Sequence, residues 1–231
     1  MSTNTYPNAS IAGAGSIGGG TYNKIDISGS GKANGDIICA DFDASGSAKV
    51  EGNLTCSGTV DVSGAFKVVG NLNCDSLDGS GAVKITGGVI AKEVDVSGAF
   101  VVGGDCEAEE VDIRGSVNID GLLNAETIDL SLESIGGKSK VGQIGGGSVT
   151  IKPRSGAGGK ILFFFTKNGH ADSHLEKTLI EADRVELENV IADTVRTIDA
   201  KIGDECEIGT LEYSGEIEIS ENAKVDNIVK I

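Results

Sequence analysis

Aspartate recurs along the first half of the chain at a nearly constant interval, and this interval constrains the fold more than any other sequence feature. The successive spacings are 17, 18, 17, 17, 17 and 17 residues. The residues are Asp26, Asp43, Asp61, Asp78, Asp95, Asp112 and Asp129. A unit of this length repeated in series is typical of a solenoid, in which each coil packs only on its neighbours. The repeat therefore predicts a stack of similar coils rather than one large core.

Glycine forms two further columns of the repeat. One column lies three residues after each of the first six Asp, and the other lies six residues further on. The first contains Gly29, Gly46, Gly64, Gly81, Gly98 and Gly115, and the second contains Gly35, Gly52, Gly70, Gly87, Gly104 and Gly121. Sharp turns need backbone angles that glycine adopts at low cost. Both columns are therefore predicted to be corners of the coil.

Apolar residues fall in three pairs per unit, with a spacing of two inside each pair. One unit illustrates the pattern with Val60/Val62, Phe66/Val68 and Leu72/Cys74. A period of two places both members of a pair on one side of a β-strand. Stacked coils, about 4.8 Å apart, would satisfy the backbone groups and seal the interior. The sequence predicts an all-β, single-stranded parallel β-helix with three strands per coil and a triangular cross-section.

The regularity of the repeat divides the chain into segments. Residues 1–10 are polar, and the main solenoid is predicted over 11–135. The pattern weakens over 136–178, which we interpret as an irregular or inserted segment. Spacings of six return over 179–231, predicted to be C-terminal coils continuous with the first solenoid. Roughly twelve coils would make a rod on the order of 55 Å long.

Composition bears on partners and compartment. The net charge of −16 argues against nucleic acid, because phosphate binding needs clustered Lys and Arg. No basic stretch followed by an apolar stretch opens the chain, and no apolar run approaches a membrane span. We therefore expect a cytoplasmic protein without direct membrane insertion. The five Cys are expected to be reduced thiols.

Two sets of residues resemble the bactofilins, the polymer-forming cytoskeletal proteins of bacteria. One set is the repeated unit at 27–37, with variants at 62–72 and 96–106, and the other is the block at 185–215. The similarity is greatest to a longer subgroup with a second, C-terminal run of coils. The resemblance implies a right-handed β-helix that polymerises end to end without a nucleotide. It also implies a scaffolding role in cell shape, envelope synthesis or motility.

Several motifs suggest chemistry but fit the repeat or a loop better. Gly13, Gly15 and Gly18 spell G-x-G-x-x-G, yet no strand precedes them and more glycine follows where a helix should begin. The stretch 155–160 lacks the spacing of a phosphate-binding loop. His170 and His174 lie in a polar segment without a third metal ligand in view. We predict no catalytic residue, metal site or cofactor.

Three columns admit both a structural and a functional interpretation. The seven Asp should form a ladder on one outer face, and Lys32, Lys49, Lys67 and Lys84 a second outer column. Both could simply keep the rod soluble, or the Asp ladder could bind divalent ions or a partner. Cys39, Cys56 and Cys74 share an inward column that Ala91, Ala108 and Ala125 continue. That continuation favours small-residue packing over a disulfide or metal site.

The last coil is the predicted self-assembly edge, because the pattern there runs on without an obvious cap. Its predicted residues are Ile217, Ile219, Ala223, Val225, Val229 and Ile231. Unpaired backbone groups on such a coil can pair with another rod. We therefore expect a non-catalytic scaffold whose partner is itself, with other cytoskeletal or envelope proteins as further candidates. The alternatives are a surface or extracellular binding solenoid and, less favoured, a hexapeptide-type acyltransferase.

Overall fold

The computed structural model describes residues 6–133, 139–154 and 178–231, and in this part of the chain every regular element is a β-strand. The strands are β1 Ala9–Thr21, β2 Lys24–Cys39, β3 Asp41–Val50, β4 Leu54–Cys56, β5 Thr59–Val68, β6 Leu72–Asn73, β7 Ser76–Ile85, β8 Val89–Ile90, β9 Glu93–Val102, β10 Cys106–Glu107, β11 Glu110–Leu132, β12 Lys140–Pro153, β13 Leu179–Leu187, β14 Ile191–Ile202, β15 Glu207–Tyr213, β16 Ile217–Ile219 and β17 Lys224–Lys230. All of them belong to one sheet.

Each strand pairs in parallel with the equivalent strand of the next coil. Strand β5, for example, pairs with β3 on one side and β7 on the other, and Asp61 stands between Asp43 and Asp78. The sheet winds through about 11 turns of about 17 residues. The predicted all-β parallel solenoid is confirmed, while its right-handed sense stays a prediction.

The inward pairs form one continuous core along the rod. Val60, Val62, Phe66, Val68 and Leu72 are at most 2% exposed, and their equivalents in neighbouring coils are also buried. Larger and smaller residues alternate along the inner column that contains Phe66. Phe66 stacks on Ala48 in one coil and on Val83 in the next, and its ring lies 5.4 Å from that of Phe42. This alternation fills the narrow interior without large side chains at every level.

The two glycine columns serve different purposes. The first is a corner column, as predicted, because Gly29, Gly46, Gly64, Gly81, Gly98 and Gly115 have φ between 133° and 145°. The second column also lies at corners, with four of its members in bends between strands, but Gly35 alone has such an angle (108°). There a side chain would clash with the neighbouring coil. A Cβ at Gly70, for example, would lie 2.7 Å from Asn53 Oδ1.

The residue after each second-column glycine explains this requirement for space. Asp36, Asn53, Asn71 and Asp105 each accept a hydrogen bond from a backbone N–H of the coil above, through Oδ1, at 2.7–2.9 Å. The donors are Asn53, Asn71, Gly88 and Leu122. We call these four acceptors the Asx ladder. Three of these donors lie outside the strands and Leu122 lies in β11. A glycine beside each acceptor leaves room for its side chain.

The solenoid continues through part of the segment predicted to be irregular. Strand β12 pairs with β11, and β13 in turn pairs with β12, so that Ile144 lies between Leu123 and Ile180. The prediction of an irregular segment over 136–178 is therefore wrong for 140–153. Gly145, Gly146 and Gly147 weakened the apolar signal of that coil, although its inward residues Val141, Ile144, Val149 and Ile151 are buried. Residues 134–138 and 155–177, including His170 and His174, lie outside the described residues.

Candidate functional site

The C-terminal end of the rod exposes the interior of its last coil. Strands β16 and β17 pair with β14 and β15 on one side, and on the other side no described residue pairs with them. Ile217, Ile219, Ala223 and Val225 pack against the core but are only half-buried. Ile228 stacks on Leu211 and remains 51% exposed. The end is an open sheet edge around a partly exposed apolar centre.

The register corrects two residues of the predicted edge. Val229 pairs with Glu212, whose carboxylate binds Arg196 at 2.7 Å on the outer surface. Val229 therefore points outward, and Ile231, two residues on, shares that side and is 66% exposed. Ile228 is the inner residue that the sequence interpretation missed. The signal was present in the coil below, where Ile208 and Leu211 are both buried at a spacing of three.

The opposite end of the rod is built from uncharged residues. The coil over 6–23 contains no Asp, Glu, Lys or Arg. Its inner side carries Ile11 (7% exposed) and the partly buried Ala9, Ile17 and Tyr22. The Tyr22 hydroxyl donates a hydrogen bond to the Gly18 carbonyl at 2.9 Å. Charged residues are a usual protection of exposed sheet edges, and this coil lacks them.

An acidic column runs along one outer face. The register pairs Asp26, Asp43, Asp61, Asp78, Asp95 and Asp112 in succession, and the series ends after Asp129, which pairs with Thr150 of the next coil. We call the first six the acidic column. Neighbouring charges about 4.8 Å apart repel by roughly 0.9 kcal/mol in bulk water. The column therefore favours cationic partners.

Cations of the chain pair with three of the six members of the acidic column. Lys24 forms an ion pair with Asp43, and their hydrogen bond raises the pKa of Lys24. Arg114 binds Asp112 at 2.7 Å and Asp95 at 3.0 Å, which raises the pKa of the guanidinium. The other three members, Asp26, Asp61 and Asp78, have no ion pair within the described part of the chain and are exposed.

A basic column lies on the adjacent face. Lys32, Lys49, Lys67 and Lys84 pair in register, and Val101 follows them; these four lysines are the basic column. Glu51 binds Lys49 at 2.7 Å and Lys32 at 3.0 Å, and these hydrogen bonds lower its pKa to about 2. Lys67 and Lys84 form no ion pair with any described residue. These two faces can therefore bind charged partners by electrostatic attraction.

The cysteines are core residues. All five are buried and form no disulfide. Cys39 pairs in register with Cys56. Hydrogen bonding to Cys56, together with burial, raises the pKa of Cys39. Burial raises the pKa of Cys74 and of Cys106 to about 12. A buried thiol that stays protonated at neutral pH is a poor nucleophile and a poor metal ligand.

The described residues contain little that resembles reaction chemistry. Gly13, Gly15 and Gly18 all lie within strand β1, whereas a dinucleotide motif places them between a strand and a helix. No group of three or more His, Cys, Asp or Glu is arranged to hold a metal within 6–133, 139–154 and 178–231. Residues 155–160 lie outside the described residues. In the same ranges we find no helix with the length and apolarity needed to cross a bilayer.

Comparison with known proteins yields a limited relationship. No family model matches the chain, and no solved structure matches it. The chain is 37% identical over 93 residues to the uncharacterized protein YhbF of Bacillus subtilis (strain 168). The aligned region covers 40% of this chain and 35% of the Bacillus protein, so about a third of that relative is spanned.

Proposed function

We propose that this protein is a non-catalytic scaffold whose rods join end to end, without a nucleotide, into a cytoplasmic filament of the bactofilin kind. The observation that carries the proposal is the uncovered last coil, with its free sheet edge and exposed Ile228. In a parallel solenoid, every interior coil forms backbone hydrogen bonds with the coils above and below it. A second copy of the chain, wound in the same way, can offer the last coil the same pairing.

The composition of the two ends supports the proposal. The C-terminal coil presents an apolar centre of Ile217, Ile219, Val225 and Ile228, and the opposite end presents an uncharged coil. Stacking either end on another copy would bury apolar area worth about 25 cal/mol per Å². We propose further that the filament binds neither nucleic acid nor the bilayer interior, and that its cellular partners are cytoskeletal or envelope proteins.

Electron microscopy and sedimentation of the purified protein would test end-to-end assembly. We expect the wild-type chain to form filaments and Ile228→Lys to raise the protein concentration needed for them at least tenfold. A charge buried at the joint would cost more than the about 1.4 kcal/mol that a tenfold change requires. Ile38→Lys is the matched control, because Ile38 is 52% exposed on a lateral face and Ile228 is 51% exposed at the end.

Two outcomes would count against the proposal. One is isolated wild-type rods at every salt concentration, and the other is an equal effect of the two substitutions. Absence of turnover with acyl donors and nucleotides would agree with a non-catalytic role. A fluorescent fusion that forms a patch or filament inside cells would locate the scaffold.

A surface-binding solenoid is the second candidate, and one observation favours it. A groove of about 790 Å³ lies on a lateral face of the C-terminal half, lined by Asn124, Gln143, Glu181 and other residues. Exposed Leu122 (37%) and Ile198 (47%) also line it. A binding role outside the cell would require export, so localisation of the fusion on the cell surface would favour this function over the scaffold.

A further inference from the structure

The acidic and basic columns occupy adjacent faces of the same coils and share one axial spacing. Each column advances by one strand spacing per coil, because its members pair directly in the parallel register. Two rods lying side by side can therefore place every Lys of the basic column of one rod opposite an Asp of the other. A pairing that fits at one coil also fits at the next.

The charges left unpaired within the chain coincide in two successive coils. Asp61 and Lys67 belong to one coil, and Asp78 and Lys84 belong to the coil above it. None of the four forms an ion pair with a described residue. Elsewhere in the columns Lys24, Arg114 and Glu51 provide internal partners for all members except Asp26. The middle of the rod thus carries two free carboxylates and, on the next face, two free ammonium groups.

Small residues beside both columns leave the two faces flat. Ser63 and Ser80 flank the acidic column in register, and Ala65 and Ala82 flank the basic column. Gly64 alone separates Ser63 from Ala65 at the corner. Short side chains let another rod approach until Lys and Asp side chains meet. Such closeness matters because attraction between exposed charges weakens steeply with distance and with salt.

We infer that the rods also associate laterally, with the basic column of one copy against the acidic column of another. A second copy is the partner that the charges favour, because it supplies both columns at the required spacing. The contact relieves repulsion within both ladders at once. It joins two different faces, so each rod keeps one of its two faces free and association can continue into sheets or bundles.

The lateral contact goes beyond the proposed end-to-end joint and rests on it in one respect. Single exposed ion pairs are weak, and a filament repeats the same set of pairs once per subunit. The stability of a bundle therefore grows with filament length. Filament length reports the end-to-end joint, and filament width reports the lateral contact, so the two proposals fail in different ways.

Electron microscopy at two salt concentrations, with light scattering, would test lateral association. At about 20 mM salt we expect wild-type bundles at least twice as wide as a single filament. Above about 0.3 M salt, where the screening length is well below 10 Å, they should separate into single filaments. The double variant Lys67→Glu/Lys84→Glu should give single-width filaments at both salt concentrations. The double variant Asp61→Lys/Asp78→Lys should behave in the same way.

A mixture of the two double variants provides the decisive measurement. One variant carries two acidic faces and the other two basic faces, so bundles should reappear on mixing at low salt. Lys92→Glu/Lys201→Glu is the matched control, because it makes the same charge change outside the basic column and should leave bundles intact. Circular dichroism establishes that each variant is folded.

Three outcomes would overturn the lateral contact. They are single-width wild-type filaments at low salt, bundles of wild-type width in the Lys67→Glu/Lys84→Glu variant, and failure of the two double variants to associate on mixing. Long single filaments would then leave the end-to-end joint standing. Short rods that pair side by side at low salt would instead support the lateral contact and contradict the joint.

Discussion

Single glycines determine how closely successive coils can stack. At the first corner of each coil the glycines lie directly above one another, Gly81 on Gly64 and Gly98 on Gly81. Gly81 has a φ of 133°, a region that L-residues with side chains rarely enter. A Cβ there would also collide with the carbonyl oxygen of Gly64. Both the angle and the contact therefore select glycine.

Gly81→Ala is expected to destabilise the fold by about 3 kcal/mol, from backbone strain and the steric clash together. Thermal and urea unfolding, followed by circular dichroism, would measure the change. Gly18→Ala is the control, because a Cβ at Gly18 would meet nothing within 4 Å. It should alter stability by no more than about 0.5 kcal/mol. Equal losses in the two variants would contradict this account of the corner.

At the scale of the strand and its corner, the Asx ladder connects coils that the strands alone leave incompletely bonded. Asn71 accepts a hydrogen bond from the Gly88 N–H at 2.8 Å and donates its own N–H to Asn53 Oδ1 at 2.9 Å. Gly88 itself has no side chain to continue the ladder, and Asp105 resumes it one coil later. The hydrogen bonds of the ladder therefore form only between stacked corners, and one isolated turn would not contain them.

Asn71→Ala should lower stability by about 1 kcal/mol, because the Gly88 amide loses its acceptor at a partly exposed site. Asn71→Asp should retain most of the stability, since Asp36 and Asp105 perform the same role in this column. Asn73→Ala is the control, because Asn73 is exposed and takes part in none of these corner bonds. Urea midpoints would separate the three variants. A loss of stability in Asn73→Ala as large as that in Asn71→Ala would contradict a stabilising role for the Asx ladder.

The sequence predicts the strands and their inward residues well, because burial on a strand leaves a period of two. Phe66, Val68 and Leu72 could be assigned to the core from spacing alone. The Asx ladder could not, because Asn53 and Asn71 are also typical of solvated turns, and the backbone N–H groups that donate to their Oδ1 atoms become visible only when coils are stacked. Ile228 was missed for a related reason. The inner residues Val225 and Ile228 lie three apart, as Ile208 and Leu211 do in the coil below, whereas the pattern of pairs six residues apart places Val229 there.

Across the whole molecule, the core columns stay continuous even where the coils differ in length. The coil that begins in β11 and ends in β12, and the coil that ends in β13, differ in length from the 17-residue unit, yet Leu123, Ile144 and Ile180 still stack directly. The described strands on either side of 134–138 and of 155–177 keep the same register. Because each coil contacts only its neighbours, the stack tolerates such differences in length.

The same locality predicts that one complete coil can be removed. Deletion of 76–92 would join Asp75 to Glu93, and Ser76 and Glu93 already share one register position. Asp78 and Lys84 leave with the coil, and Asn71 should then accept the Asp105 amide in place of that of Gly88. We expect a folded rod shorter by about 4.8 Å, measured by small-angle X-ray scattering, that unfolds a few degrees lower. Deletion of the half coil 76–84 is the control, since it shifts every following strand to another face. A half-coil deletion as stable as the full-coil deletion would contradict register stacking as the basis of the fold.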